Sequence, residues 1–154
     1  MDNLREAIER LTVSLNKIDG LYYMGAKKLG VKDSALSILY VLNDGKSHSQ
    51  KQISDEWLIP KTTVNTIIRE WCREGLVVLS PEEHGREKTV SLTEKGREQA
   101  EAILAPLYHA EQTAMEKTIR EFSPEFITVL EHFCRHLQQE FEQRIFSGSG
   151  DPPQ

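Results

Sequence analysis

The chain has 154 residues, 38% of them hydrophobic and 28% charged, a balance that supports a folded protein rather than a disordered one. Its net charge of −5 argues against a broadly basic surface that would coat nucleic acid without discrimination. No apolar run approaches the roughly 18 residues of a membrane span, no secretion-signal core opens the chain, and Cys72 and Cys134 stand far apart, so a reduced, cytoplasmic protein is expected.

Leu4, Ile8, Leu11, Leu15, Ile18 and Tyr22 recur at alternating steps of four and three, the seam of a first helix that either meets a partner helix or lies on its own core. Lys27 to Val31 end that helix, and Asp33 is placed to cap the next, whose stripe is Ala35, Ile38, Leu39 and Leu42. Asn43-Asp44-Gly45 stops it by left-handed turn chemistry. Ser49 and Gln52 form a capping-box pattern for a short helix expected to bury Ile53 and Trp57. Pro60 is expected in the first turn of the following helix, which Gly75 ends. Residues 76–79 and 89–92 are short β-prone runs separated by a polar loop, the pattern of a hairpin. Thr93 caps a long helix to about Glu121, with Pro106 expected to kink it. Ser123-Pro124 opens a last helix with the stripe Phe126, Leu130, Phe133, Leu137, Phe141 and Ile145.

Short helix, turn, helix and hairpin in this order predict a winged helix-turn-helix, mainly α with a small β-hairpin wing, set in a helical dimerisation frame. The predicted DNA-binding lobe is 33–97, the dimerisation region 1–32 and 98–146, and the loose tail 147–154. From Asp44 to Arg97 there are nine basic and nine acidic residues, so the excess acid lies outside the candidate reading segment. At 100° per residue, Val64, Ile67, Ile68 and Trp71 share the inner side of the Lys61–Arg73 helix. Thr62, Thr66, Arg69 and Arg73 share the outer side, with Asn65 on the flank. Hydroxyls, an amide able to pair with adenine and guanidinium groups suited to guanine or phosphate make this a candidate major-groove reader of double-stranded DNA. Any surface helix has a polar side; the flanking turn and hairpin are what favour DNA here. Lys61 joins this set, Ser49 and Lys51 are candidate phosphate contacts, and Arg86 in the hairpin loop is a candidate minor-groove probe.

Pro60-Lys61-Thr62-Thr63-Val64, Glu74-Gly75-Leu76-Val77 and Val90-Ser91-Leu92-Thr93-Glu94-Lys95-Gly96 make the chain resemble the MarR-type transcriptional regulators over nearly its whole length. The resemblance implies a homodimer on a pseudo-palindromic operator, usually a repressor, released when a small-molecule effector changes the spacing of the DNA-reading lobes. Family wings carry Asp-x-Arg; the aligned triplet here is His84-Gly85-Arg86, so histidine takes the place of the bracing aspartate. Leu79 replaces a basic residue common early in the hairpin, and Leu58 stands where glycine is frequent in the turn. An effector pocket is expected where helical frame meets winged lobe, with Tyr22, Tyr23, Met24, Tyr40 and Trp57 as candidate linings against ordinary core packing.

His132 and His136 have a spacing that could grip a metal, but no third ligand of fixed geometry accompanies them, and no metal or cofactor is expected. Cys72 and Cys134 read as small packed residues. No phosphate loop, nucleophile elbow or HExxH is present, so an enzyme is not expected. The alternative is a winged-helix protein-interaction module that does not bind DNA.

Overall fold

The computed structural model describes residues 2–81 and 87–147. Six α-helices run as α1 (Asp2–Lys28), α2 (Asp33–Leu42), α3 (Gln50–Trp57), α4 (Lys61–Glu74), α5 (Glu94–Glu121) and α6 (Glu125–Phe141). Three short strands, β1 (His48–Ser49), β2 (Val77–Leu79) and β3 (Thr89–Leu92), complete a winged helix-turn-helix fold. Two compact units divide the chain, Met1–Leu107 and Tyr108–Gln154.

The core of the first unit is drawn from elements distant in sequence. Ile38 and Leu42 of α2, Ile53 of α3, Val64 and Ile68 of α4, Val90 of β3 and Leu104 of α5 are all but sealed from solvent. Each such side chain stabilises the fold by about 1.5–3 kcal/mol, so α3 and α4 are held by packing rather than by their own length. The first helix contributes only Ala26 to this core. Leu4, Ile8, Leu15 and Ile18 of its seam are exposed. In the second unit none of the described residues is buried, and Met115, Ile119, Phe122, Phe126, Leu137 and Phe141 are exposed.

Local chemistry sets the boundaries. Lys32, not Asp33, is the N-cap of α2 and makes no side-chain cap bond. Asp33 is the first helical residue, where its carboxylate still complements the helix dipole. The Ser49–Gln52 capping box is complete: Ser49 Oγ accepts from Gln52 N–H, and Gln52 Oε1 accepts from Ser49 N–H. The turn after α3 is closed by Leu58 in the left-handed region, φ +51°, and by Ser54 Oγ, which donates to the Ile59 carbonyl at 2.7 Å. Pro60 stands one position before the first turn of α4, with an extended ψ of 135°, and its carbonyl accepts from Thr63 and Val64. Gly75, φ +72°, ends α4. Trp57 departs from the expected burial: it is 41% exposed, because it sits in the last turn of α3 as that helix leaves the core, and it packs on Tyr40 with ring centroids 5.6 Å apart.

The hairpin is part of a three-stranded antiparallel sheet in the order β1-β3-β2. His48 and Ser49 pair with Val90 and Thr89, while Val77, Val78 and Leu79 pair with Leu92, Ser91 and Val90. Ser80 and Thr89 latch the open end, Ser80 N–H donating to the Thr89 carbonyl at 2.8 Å and Thr89 N–H to Ser80 Oγ at 2.9 Å. At the other end Thr93 joins hairpin to helix. Its N–H donates to the Leu76 carbonyl, its hydroxyl donates to the Gly75 carbonyl at 2.7 Å, and Thr93 Oγ1 accepts from Gly96 N–H at 3.0 Å to cap α5.

Pro106 lies inside α5, which continues as one helix to Glu121. Beyond Phe141 the expected α-stripe gives way to a π-helical turn, Glu142–Phe146, so Ile145 falls out of the 3.6-residue period. Phe141 and Phe146 meet edge to face there, centroids 6.0 Å apart, and the Ser147 hydroxyl closes the turn on the Glu142 carbonyl.

Candidate nucleic-acid interface

The inner side of α4 is buried through Val64, Ile67, Ile68 and Trp71, which fixes its outer side toward solvent. Lys61, Thr62, Asn65, Thr66, Arg69 and Arg73 are all exposed, with Thr66 Oγ1 donating to the Thr62 carbonyl at 2.8 Å. Arg69 Nη2 donates to Asn65 Oδ1 at 2.8 Å, and Asn65 Nδ2 donates across to Gln50 Oε1 of α3 at 3.4 Å. Gln50, Lys61, Thr62, Asn65, Thr66 and Arg69 line a groove of about 520 Å³ together with Lys51 and Glu87.

Three cations, Lys51, Lys61 and Arg69, therefore face one carboxylate, Glu87, over a surface otherwise made of hydroxyls and amides. The arrangement can hold an anionic backbone through Lys51 and Lys61 and present Asn65 and Arg69 to base edges. Gln50 is not among the sequence candidates. Gln50 begins α3 directly after the capping box, a position whose spatial relation to α4 no single-helix projection displays.

Ser49 is placed differently from its expected role. It is 6% exposed, and its Oγ is engaged in the capping box, so it orders the start of α3 from inside. Arg73 is exposed one turn beyond Arg69 and does not line the groove. Arg86, with Glu82, Glu83 and His84, lies outside the described residues.

On the far side of Thr62 and Thr66 a second groove, about 490 Å³, runs between α2, α4 and the start of α5. Val31, Leu39, Trp71 and Ile103 supply apolar wall, and Lys32 and Glu70 supply charge. None of Tyr22, Tyr23, Met24, Tyr40 and Trp57 lines it. Tyr22, Tyr23 and Met24 lie on exposed surface of α1, with Lys27 Nζ 5.9 Å from the Tyr23 ring centroid, while Tyr40 and Trp57 pack on each other.

The His132 and His136 rings are 6.4 Å apart, and among the described residues no group of three or more His, Cys, Asp and Glu side chains is placed to hold a metal. Cys72 is half-buried on α4, whereas Cys134 is exposed on α6 rather than packed, because no described residue of its unit is buried. No helix among the described residues is long and apolar enough to cross a membrane.

Comparison with known proteins accords with this architecture. The model of the MarR family matches residues 29–87, which include the helix-turn-helix and the first hairpin strand, β2, and end at the groove residue Glu87. The MarR family regulator NMB1585 from Neisseria meningitidis is 26% identical, with 97% of this chain and 100% of that one covered and a TM-score of 0.71. A MarR family transcriptional regulator from Listeria monocytogenes, solved with a 26mer DNA, is 16% identical over 95% of this chain and 97% of its own, TM-score 0.62. NadR, solved with 4-hydroxyphenylacetate, is 12% identical over 82% of this chain and 88% of its own, TM-score 0.63. None of the curated proteins compared with the chain matches it in sequence. Helix-turn-helix, three-stranded wing sheet and flanking long helices, taken with the matched segment, make the chain similar to the MarR family regulators in fold and, over residues 29–87, in sequence.

Proposed function

We propose that the chain is a DNA-binding transcription regulator, a repressor that grips a pseudo-palindromic operator as a homodimer and lets go when a small organic acid binds. The observation that carries this reading is the outer side of α4, where threonine hydroxyls, the Asn65 amide and the Arg69 guanidinium stand exposed in one groove with Lys51 and Lys61. A helix of that composition fits the major groove, with lysines on phosphate and the amide and guanidinium on base edges. Arg86 is assigned to the neighbouring minor groove. The DNA-bound Listeria relative supports the same use of the fold.

Residues 33–97 form the DNA-reading lobe in this proposal, and 1–32 with 98–146 form the dimerisation frame. The exposed Leu4, Ile8 and Ile18 of α1 and Phe122, Phe126 and Phe141 of the second unit support it. Apolar rows of that extent are costly in water, at about 25 cal/mol per Å², and a twofold partner covers them. Pairing sets two α4 helices about 34 Å apart in successive major grooves.

The effector is assigned to the groove behind α4. Lys32 offers a cation to a carboxylate, while Leu39, Trp71 and Ile103 suit a ring. Thr62 and Thr66 line both grooves, so a ligand behind α4 acts on side chains that DNA needs in front of it, which is linkage between the two sites. NadR with 4-hydroxyphenylacetate supports an aromatic acid.

The test is to incubate the purified protein with fragmented genomic DNA, sequence what it retains, and measure affinity for the recovered duplex across salt. A steep fall in affinity between low and moderate salt is expected, with sedimentation as a dimer and release by 4-hydroxyphenylacetate. Glu87 inside the groove favours the rival reading of a protein-interaction module, and salt-insensitive or absent duplex binding would decide for it.

A further inference from the structure

We propose that Gln50 is a positioning residue that fixes the Asn65 amide for an adenine in each half-site; the proposal rests on the DNA-binding reading above. A carboxamide carries two N–H donors on nitrogen and two lone pairs on oxygen. In Asn65 one of each is already engaged, Oδ1 by Arg69 and Nδ2 by Gln50.

The orientation follows from what these partners cannot do. A guanidinium cannot accept, so the atom against Arg69 Nη2 must be oxygen. The Gln50 Oε1 atom cannot donate, so the atom against it must be nitrogen. Turning the amide over sets donor against donor on one side and acceptor against acceptor on the other. One lone pair on Oδ1 and one N–H on Nδ2 are left for a ligand. Adenine presents the complement in the major groove, an N6–H donor beside the N7 acceptor, whereas guanine presents two acceptors.

Gln50 gives this clamp its fixed end. Arg69 is a long side chain on the same helix as Asn65 and moves with it. Gln50 is half-buried on a different helix, directly after Ser49, whose main chain is tied by the capping box and by the β1–β3 pairing. The Asn65 amide is thereby referenced to the sheet as well as to α4.

The experiment selects duplexes from a randomised library with wild type, Gln50→Met, Gln50→Glu and Asn65→Ala. Wild type is expected to select an adenine in each half-site, and Asn65→Ala to lose that preference alone. Gln50→Met keeps length but lacks the acceptor, and is expected to lower adenine-over-guanine preference at that position by about 10-fold, leaving other positions unchanged. Gln50→Glu keeps an acceptor for Nδ2, so the adenine preference survives while overall affinity falls from the added negative charge beside phosphate. A Gln50→Met profile identical to wild type, or one weakened evenly at every position, overturns the proposal while leaving DNA binding intact. A wild-type protein that selects no sequence removes the functional reading, and this inference with it.

Discussion

Replacing Gly96 with alanine sets two backbone effects against each other. Gly96 is the third residue of α5, where alanine is favoured over glycine by about 1 kcal/mol of helix propensity. A Cβ there, however, would stand 1.9 Å from the Leu76 carbonyl oxygen and 2.8 Å from its carbon. Carbon–oxygen contacts normally close no nearer than about 3.3 Å, so the two main chains must part by more than an ångström. Leu76 is not a flexible tip: its carbonyl accepts from Thr93 N–H and its N–H donates to the Trp71 carbonyl, both at 2.9 Å. Overpacking of this kind costs about 1–3 kcal/mol, and loss of the Thr93 bond adds about 1 kcal/mol. After the propensity gain, Gly96→Ala is expected to be less stable by about 1–3 kcal/mol. Urea unfolding reads this as a midpoint lowered by about 1 M at a slope ordinary for small domains. A midpoint equal to or above wild type would show that helix propensity wins, and that the contact between α5 and Leu76 is not a constraint.

Ser49→Ala removes the capping acceptor and is expected to cost about 1 kcal/mol in the same assay; an unchanged midpoint contradicts the structural role given to Ser49. Leu58→Gly should raise stability by up to about 1 kcal/mol by relieving a left-handed leucine that is 88% exposed, and a loss would mean that Leu58 makes a contact that outweighs its strain. Burial works against charge on Asp44, yet hydrogen bonds from His48 and from Lys46 N–H hold its carboxyl below the usual carboxylate range. A depressed value stabilises the fold fully above the unfolded-state pKa of about 3.9 and is lost as pH falls through the folded one. The stability gap between wild type and Asp44→Asn is therefore expected to be open at neutral pH and to close in acid, and a gap independent of pH refutes it. Lys61→Ala should reduce the salt slope of duplex binding by about 1 without changing the selected sequence, as a phosphate contact does.

Much of the winged helix-turn-helix could be read in sequence because its signals are local. The Ser49–Gln52 spacing, the left-handed Gly75 and the capping Thr93 each act within a few residues, and the period of Val64, Ile67, Ile68 and Trp71 fixes which side of α4 is open. What escaped depends on elements meeting across the fold. Two residues are too few to show alternation, so β1 was not legible, and neither was the sheet that ties α3 to the wing. Trp57 follows Ile53 at a burying interval, but the helix ends before its indole reaches the core. The groove behind α4 is walled by Leu39, Trp71 and Ile103, brought together from three helices, a meeting that no single stretch of sequence displays. The Gln50–Asn65 bond spans two helices and leaves no periodic trace at all.

The Ser80–Thr89 latch closes the hairpin ahead of its tip, with the ladder to Val90, Ser91 and Leu92 already complete behind it. Residues between the latch positions can be added, removed or exchanged over generations without a shift in strand register. A lineage built on this scaffold is thus free to retune its wing loop while α4 stays where it was.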